Sequence, residues 1–406
     1  MILPSTLLDV PENAPEWVKN KFQKWRELGG FWGVVPVDKP QTSFPPVHPL
    51  YLSLVYKIFG PNPLASRIIQ ALLSAVTTII LYHFTRKVLD PETAFVTYLI
   101  AAFYPYYIYY TGVLLNETIS IFLLILSFWI FELMKEKDKI IYPLMFGFLL
   151  TLLVLARSVF LLFFIIALAL VLLTIRKGLK KAALMTLAFI VTVSPWVIRN
   201  YNIYNQIIIM PTKGGWNLWE RNNYRLNPDF LEIEHPELKK SFKIISDSDK
   251  KNLKRRDLTF YPDLKGKNEP ERDEIFKNMF KEFVKANPVI YLKLCHIRAF
   301  EFFRITHMYI DGYVYKVLAW LSAGLMMILG SIGGLFLLKR WRNLLVLYLL
   351  IAYYIPIHIL TTSEPRYRLM IEFIFIIFSS YIIKFLFTKT HIQINPAIQV
   401  GYECRG

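Results

Sequence analysis

Arg157 in VLARSVF, Arg199 in SPWVIRN, and Arg366 and Arg368 on either side of Tyr367 in SEPRYRLM stand at the ends of long apolar runs. A guanidinium presents a planar fork of donors that matches phosphate oxygens two at a time. Several of them at one membrane level would therefore suit a bound phosphate or pyrophosphate, although any one alone could equally snorkel to lipid headgroups. Glu117 in LLNETISIF opens another apolar run, where the helix dipole favours a carboxylate. It reads either as a cap or as a member of a polar site beside Tyr106, Tyr107, Tyr109 and Tyr110. His48 follows Pro45-Pro46-Val47 at the entrance to a short aromatic segment and reads as structural or as part of the same site. Asp9, Glu12 and Glu16 are carboxylates that could take a proton from an attacking hydroxyl; their spacing is equally that of solvated acids.

The elements that must hold these residues are set by composition. Of 406 residues 55% are hydrophobic, 16% aromatic and only 19% charged, which excludes an ordinary soluble domain. Residues 199–313 carry 37 of the 77 charged side chains, so the remainder is largely lipid-compatible. A hydrocarbon core of ~30 Å needs roughly 20 apolar residues per helix, and nine runs qualify: 64–88, 92–110, 113–134, 140–156, 158–175, 181–198, 314–338, 343–362 and 366–387. The two cysteines, Cys295 and Cys404, form neither a disulfide framework nor a metal cluster pattern. The surplus of +17 charges brackets apolar spans, which points to a membrane and not to nucleic acid.

Lysine and arginine gather in alternate short loops: Arg86 and Lys87; Lys135, Lys137 and Lys139; Arg176, Lys177, Lys180 and Lys181; Lys339, Arg340 and Arg342. The positive-inside rule puts these loops in the cytoplasm, and the short connections of the other face hold only Arg157, Arg366 and Arg368. The expected organisation is an outer N-terminal segment over 1–63 with surface helices, six spans over 64–198, a large outer loop with juxtamembrane helices over 199–313, three spans over 314–387, and a cytoplasmic tail over 388–406. Segment 49–60 is too short to cross and reads as a helix lying on the outer surface. Segments 272–286 and 288–305 place apolar residues at three- and four-residue intervals among basic ones, as further surface helices do. Residues 1–16 show no signal-peptide pattern, and an outer segment with no span before it leads us to expect a first transmembrane helix upstream.

Read in order, SFPPVHPLYLSLVYKIFG, LLNETISIFLLILSFWIF, ARSVFLL, SPWVIRNYNIYNQIIIMPTKGGWNLWERNN and SEPRYRLMIEFIFII resemble the family 39-like membrane glycosyltransferases. These are relatives of protein O-mannosyltransferase and lipid A aminoarabinose transferase within the GT-C superfamily. The resemblance covers most of 40–387. It implies an all-α polytopic membrane protein with a GT-C-like helical bundle. It also implies transfer of a sugar from a polyprenyl-phosphate carrier to a lipid, glycan or protein acceptor at the outer face of a bacterial or archaeal cell membrane. By position, the resemblance makes His48, Glu117, Arg157, Arg199, Arg366 and Arg368 candidates for the donor and its phosphate. Asn217, Asn222, Asn223 and Tyr367 become candidates for sugar contact. The family's base is an acid in the first outer loop, for which Asp9 ranks ahead of Glu12 and Glu16, none of them aligning cleanly with Gly29-Gly30-Phe31. Some GT-C enzymes use a divalent metal ion and others do not, and the acids here have no diagnostic ligand spacing.

Two other readings remain. A transporter or flippase of lipid-linked sugars would also gather arginines around a polar cavity, but transporters favour internal repeats and helices broken at mid-membrane. The suspicious polar groups here lie at one face, which favours an enzyme. The third reading is a catalytically inactive relative that binds a lipid-linked glycan.

Overall fold

A computed structural model describes residues 41–223, 264, 266–306 and 312–394. Asp9, Glu12 and Glu16 lie outside them. The described residues are helical and contain no strand. The chain divides into two compact units, one built from the described parts of Met1–Ser53, Val193–Glu301 and Ile357–Ser363, the other from Leu54–Thr192, Phe302–Pro356 and Glu364–Gly406.

The helices, in order, are α1 (Val47–Phe59), α2 (Pro63–Val88), α3 (Pro91–Ala102), α4 (Pro105–Thr111), α5 (Glu117–Glu136), α6 (Ile141–Ala156), α7 (Phe160–Thr174) and α8 (Gly178–Tyr204). There follow α9 (Gly214–Asn223), α10 (Glu269–Ala286), α11 (Pro288–Phe303), α12 (Tyr313–Ala319), α13 (Leu325–Leu337), α14 (Leu345–Leu360) and α15 (Leu369–Ile394), with a π-helical turn joining α12 to α13. Local chemistry sets several boundaries. Gly60, at a φ of 73° that a side chain would disfavour, turns the chain out of α1. Asn62 then caps α2, and Asp90 caps α3, each followed by a proline at the first helical position.

Five helical stretches are long and apolar enough to cross a membrane: Pro63–Val88, Glu117–Glu136, Gly178–Tyr204, Tyr313–Arg340 and Pro365–Phe387. Ile141–Ala156, Phe160–Thr174 and Leu345–Leu360 are shorter apolar helices. The run expected as one span over 92–110 is divided: α3 ends at Ala102, and Pro105, which cannot donate to the preceding turn, starts α4. The expected short helix at 49–60 is present as α1, and the amphipathic stretches are α10 and α11.

In the bundle unit, α5 packs on α2 and α6, and α15 packs on α3 and α13. The most apolar window of α5 is 78% buried and that of α2 only 28%, so α5 lies inside the bundle while much of α2 faces outward. Phe128 of α5 sits at this core, with ring centres 6.1 Å from Phe84, 6.0 Å from Phe163 and 6.0 Å from Phe373. Glycines let α13 meet α15 backbone to backbone. A Cβ on Gly330 would lie 2.6 Å from the Phe375 carbonyl oxygen, and one on Gly333 would lie 2.1 Å from that of Phe378. Large side chains such as Leu72, Ile79, Leu187, Ile190, Leu321 and Leu335 remain exposed, an apolar surface that water would not tolerate and lipid does. The protein is an integral membrane protein.

Candidate active site

α5 begins, α6 ends and α15 begins at one end of the bundle unit, because α5 and α6 are consecutive packed helices joined by a short loop. That end holds Glu117 in the first turn of α5, Arg157 just past α6, and the turn Pro365–Arg368 that leads into α15. Arg157 Nη2 donates to Glu117 Oε1 at 2.6 Å and to Asn116 Oδ1 at 3.2 Å, and the pair is 9% and 2% exposed. Asn116 in turn donates to the Ala156 carbonyl at 2.9 Å, one of the acceptors left over at the end of α6. Arg157 Nε and Glu117 Oε2 are buried and make no further hydrogen bond among the described residues.

Arg368 is held more completely. Its Nε donates to Glu372 at 2.7 Å, and its Nη1 donates to the carbonyls of Arg304 at 2.7 Å and Phe302 at 3.3 Å. Both members of that pair are about as buried as side chains become. Arg366 pairs with Glu364 at 2.5 Å and keeps 36% of its side-chain surface exposed. Tyr367 lies between the two guanidiniums, its ring centre 5.8 Å from Arg157 and 5.4 Å from Arg366. Its carbonyl accepts from the Tyr354 hydroxyl at 3.2 Å. Within this cluster three guanidiniums face three carboxylates. A guanidinium removed from water needs such partners, and the pairing leaves Arg366 as the arginine most open to an incoming anion.

In the other unit, α9 carries the GGWNLWERNN stretch and packs on α10. A carboxylate from α10 holds the start of α9: Asp273 accepts the Gly215 amide at 2.6 Å. Glu269 ties the preceding segments together by accepting the Thr42 amide at 2.9 Å, the Thr42 hydroxyl at 2.6 Å and the Thr212 hydroxyl at 2.9 Å. A Cβ on Gly215 would lie 2.1 Å from the Asp273 carbonyl oxygen. Gly215→Val is therefore expected to cost about 1–3 kcal/mol by overpacking, read as a lower thermal midpoint of the purified protein.

Asn222 is fully buried, its Oδ1 accepting from Arg298 Nη1 at 2.8 Å. Arg298 also donates to the Ile359 carbonyl at 2.7 Å and to Cys295 Sγ at 3.2 Å. The Tyr291 hydroxyl donates to the Leu360 carbonyl at 2.6 Å, so Arg298 and Tyr291 together satisfy acceptors at the end of α14. Burial pushes the Tyr291 hydroxyl up to about 12. Asn217 is half-buried in α9, and Asn223 ends that helix. Arg199 donates to Asn200 at 2.8 Å and lies 5.1 Å from the Trp196 ring centre. His48 is half-buried on α1, its ring centre 6.2 Å from that of Tyr51.

Of the residues singled out from the sequence, Glu117, Arg157, Arg366, Tyr367 and Arg368 come together in the bundle unit, while His48, Arg199, Asn217 and Asn222 belong to the other. The sequence reading missed Glu372, Glu364, Tyr354 and Arg298. Glu372 had a usable signal, an acid inside an apolar span four residues after an arginine; Arg298 had none, since basic residues are ordinary on an amphipathic helix.

Residues 43–198 match the family profile of dolichyl-phosphate-mannose-protein mannosyltransferases. No curated protein sequence matches the chain. Among solved structures, the oligosaccharyltransferase AglB from Archaeoglobus fulgidus, in complex with an inhibitory peptide and a dolichol-phosphate, is similar over 90% of this chain and 44% of its own, at 15% identity and a TM-score of 0.51. The same organism's oligosaccharyltransferase tethered to an acceptor peptide containing the NVT sequon is similar over 88% and 43%, at 16% identity and a TM-score of 0.50. ArnT from Cupriavidus metallidurans in the apo state aligns over 84% and 67% at 12% identity, with a TM-score of 0.36. The chain spans less than half the length of the oligosaccharyltransferase chains it matches. The profile match runs through the stretch that carries Glu117 and Arg157, and the helical fold is similar to that of the archaeal oligosaccharyltransferase over nine-tenths of the chain.

Proposed function

We propose that the chain moves a sugar from a polyprenyl-phosphate-linked donor to a lipid, glycan or protein acceptor at the outer face of the membrane, with Arg366 and Arg157 holding the donor phosphate. The observation that carries this reading is the convergence of Glu117, Arg157, Arg366 and Tyr367 at one end of the bundle, with Arg366 partly exposed and Arg157 Nε making no hydrogen bond among the described residues. Cleaving the bond between the sugar and the carrier phosphate leaves a phosphate monoester whose growing charge must meet fixed donors. Glu117 aims the Arg157 fork, and the clasp of Arg368 on Glu372 fixes the turn that presents Arg366. The acceptor hydroxyl gives its proton to a carboxylate of the outer N-terminal segment, with Asp9 preferred over Glu12 and Glu16. Asn217, Asn222 and Asn223 are the candidates for sugar recognition in this reading, Asn222 acting through its bond to Arg298. A divalent ion is compatible with the chemistry; no group of three or more metal-ligating side chains occurs among the described residues.

The test uses the full chain reconstituted with a polyprenyl-phosphate sugar. Losing a charge-assisted hydrogen bond costs about 1.5–3 kcal/mol, so Arg366→Ala is expected to raise the donor KM by roughly ten- to a hundredfold. An unchanged KM would remove Arg366 from the phosphate. Transfer that survives Asp9→Asn, Glu12→Gln and Glu16→Gln alike would remove the N-terminal base.

A further inference from the structure

The opposite end of the same bundle unit holds a cavity of 350 Å³ between the last turns of α5 and α7 and the turn joining α13 to α14. Glu117 and Glu132 are both on α5, and their separation of fifteen residues places the cavity roughly 22 Å along that helix from the arginine cluster. Phe131, Leu170 and Val346 give it an apolar wall, and Lys135, Trp341 and Arg342 give it a basic and aromatic rim.

The charges at the two ends are handled differently. Arg157, Arg366 and Arg368 each have a carboxylate partner. At the cavity, Lys135 pairs with Glu132 at 2.7 Å. Lys177 is matched by Asp138 in an ion pair of the neighbouring loop. Lys339, Arg340 and Arg342 make no ion pair among the described residues and are all exposed, Arg342 lying 5.7 Å from the ring centre of Trp341 and Arg340 6.0 Å from that of Tyr381. Three uncompensated cations on one short turn repel one another, and an anion relieves that repulsion. The apolar wall behind them asks for more than a soluble ion. Basic pockets between membrane helices are suited to phospholipid headgroups, and an exposed tryptophan is a side chain of the membrane–water interface.

We propose that this cavity binds an anionic phospholipid, its phosphodiester held by Arg342 and the neighbouring cations and the upper part of an acyl chain lying along Phe131, Leu170 and Val346. This site is separate from the donor site and does not depend on the transfer reaction. Glu132 already engages Lys135, accepting from its ammonium at 3.0 and 2.7 Å, which leaves the phosphodiester to Arg342 and its neighbours.

The test is native mass spectrometry of the full chain in detergent, titrated with phosphatidylglycerol and with phosphatidylcholine of the same acyl chains. Wild type is expected to prefer phosphatidylglycerol. With about fivefold in affinity per basic residue near a lipid surface, Arg342→Ala should lose roughly fivefold of that preference and Arg342→Glu more. Arg86→Glu, an exposed charge in the last turn of α2, should retain it. The proposal is overturned if wild type shows no preference, or if Arg342→Glu and Arg86→Glu reduce it equally, which would mean a diffuse surface field. Inorganic phosphate displacing the lipid at matching concentration would overturn the lipid assignment in favour of a soluble phosphate ester. Should Arg342→Glu fail to fold, Arg342→Ala decides on the same criteria.

Discussion

Arg368→Ala is expected to leave little folded protein. The substitution strands the Glu372 carboxylate in the bundle interior and releases the carbonyls of Phe302 and Arg304. Breaking a buried ion pair by removing one partner costs about 3–5 kcal/mol, a large part of a total stability on the order of 5–15 kcal/mol. Arg368→Lys should fail nearly as badly, because one ammonium cannot reach a carboxylate and two carbonyls in the guanidinium's plane. The double variant Arg368→Ala/Glu372→Ala removes both charges and should be more stable than Arg368→Ala alone. Thermal unfolding in one detergent checks the order; a single variant as stable as wild type would mean that the clasp contributes nothing.

The second large effect is on the proposed transfer. Arg157→Lys keeps the charge beside Glu117 but loses the fork and the Nε donor, so kcat/KM is expected to fall by at least about tenfold while the thermal midpoint moves little. Arg157→Ala should lose both activity and stability, since it leaves the Glu117 carboxylate buried and alone. Adding Glu117→Ala should restore stability without restoring transfer, with a coupling of about 0.5–3 kcal/mol in the stability cycle. Equal loss of stability and activity in Arg157→Lys would make the pair a scaffold feature only.

These expectations show where the sequence was informative. Hydropathy was enough to find most of the apolar helices, because lipid imposes length and composition on each helix separately. The α3–α4 division was legible in principle at Pro105, yet the run 92–110 is apolar throughout and hydropathy alone bridges it. The arginines were visible as misfits at span ends, and three of them do converge. What no one-dimensional pattern carries is how many donors of each are already engaged. Arg366 and Arg368 are two residues apart in the same motif, and one is partly exposed while the other is clasped by an acid and two carbonyls. Arg298 went unnoticed for the same reason: its partners, Asn222 and the Ile359 carbonyl, are 76 and 61 residues away.

The meeting of Gly333 with the Phe378 backbone acts as a fulcrum. From Phe378 back to Tyr367 the chain runs along the start of α15 and the helical turn before it for about eleven residues, or roughly 16 Å if helical throughout. Tilting that rod by about 5° at the fulcrum would swing its far tip by roughly 1.4 Å, on the scale at which misplaced reacting groups lose about a hundredfold in rate. A side chain added at Gly333 would therefore be expected to misaim Arg366 and Tyr367 without touching either.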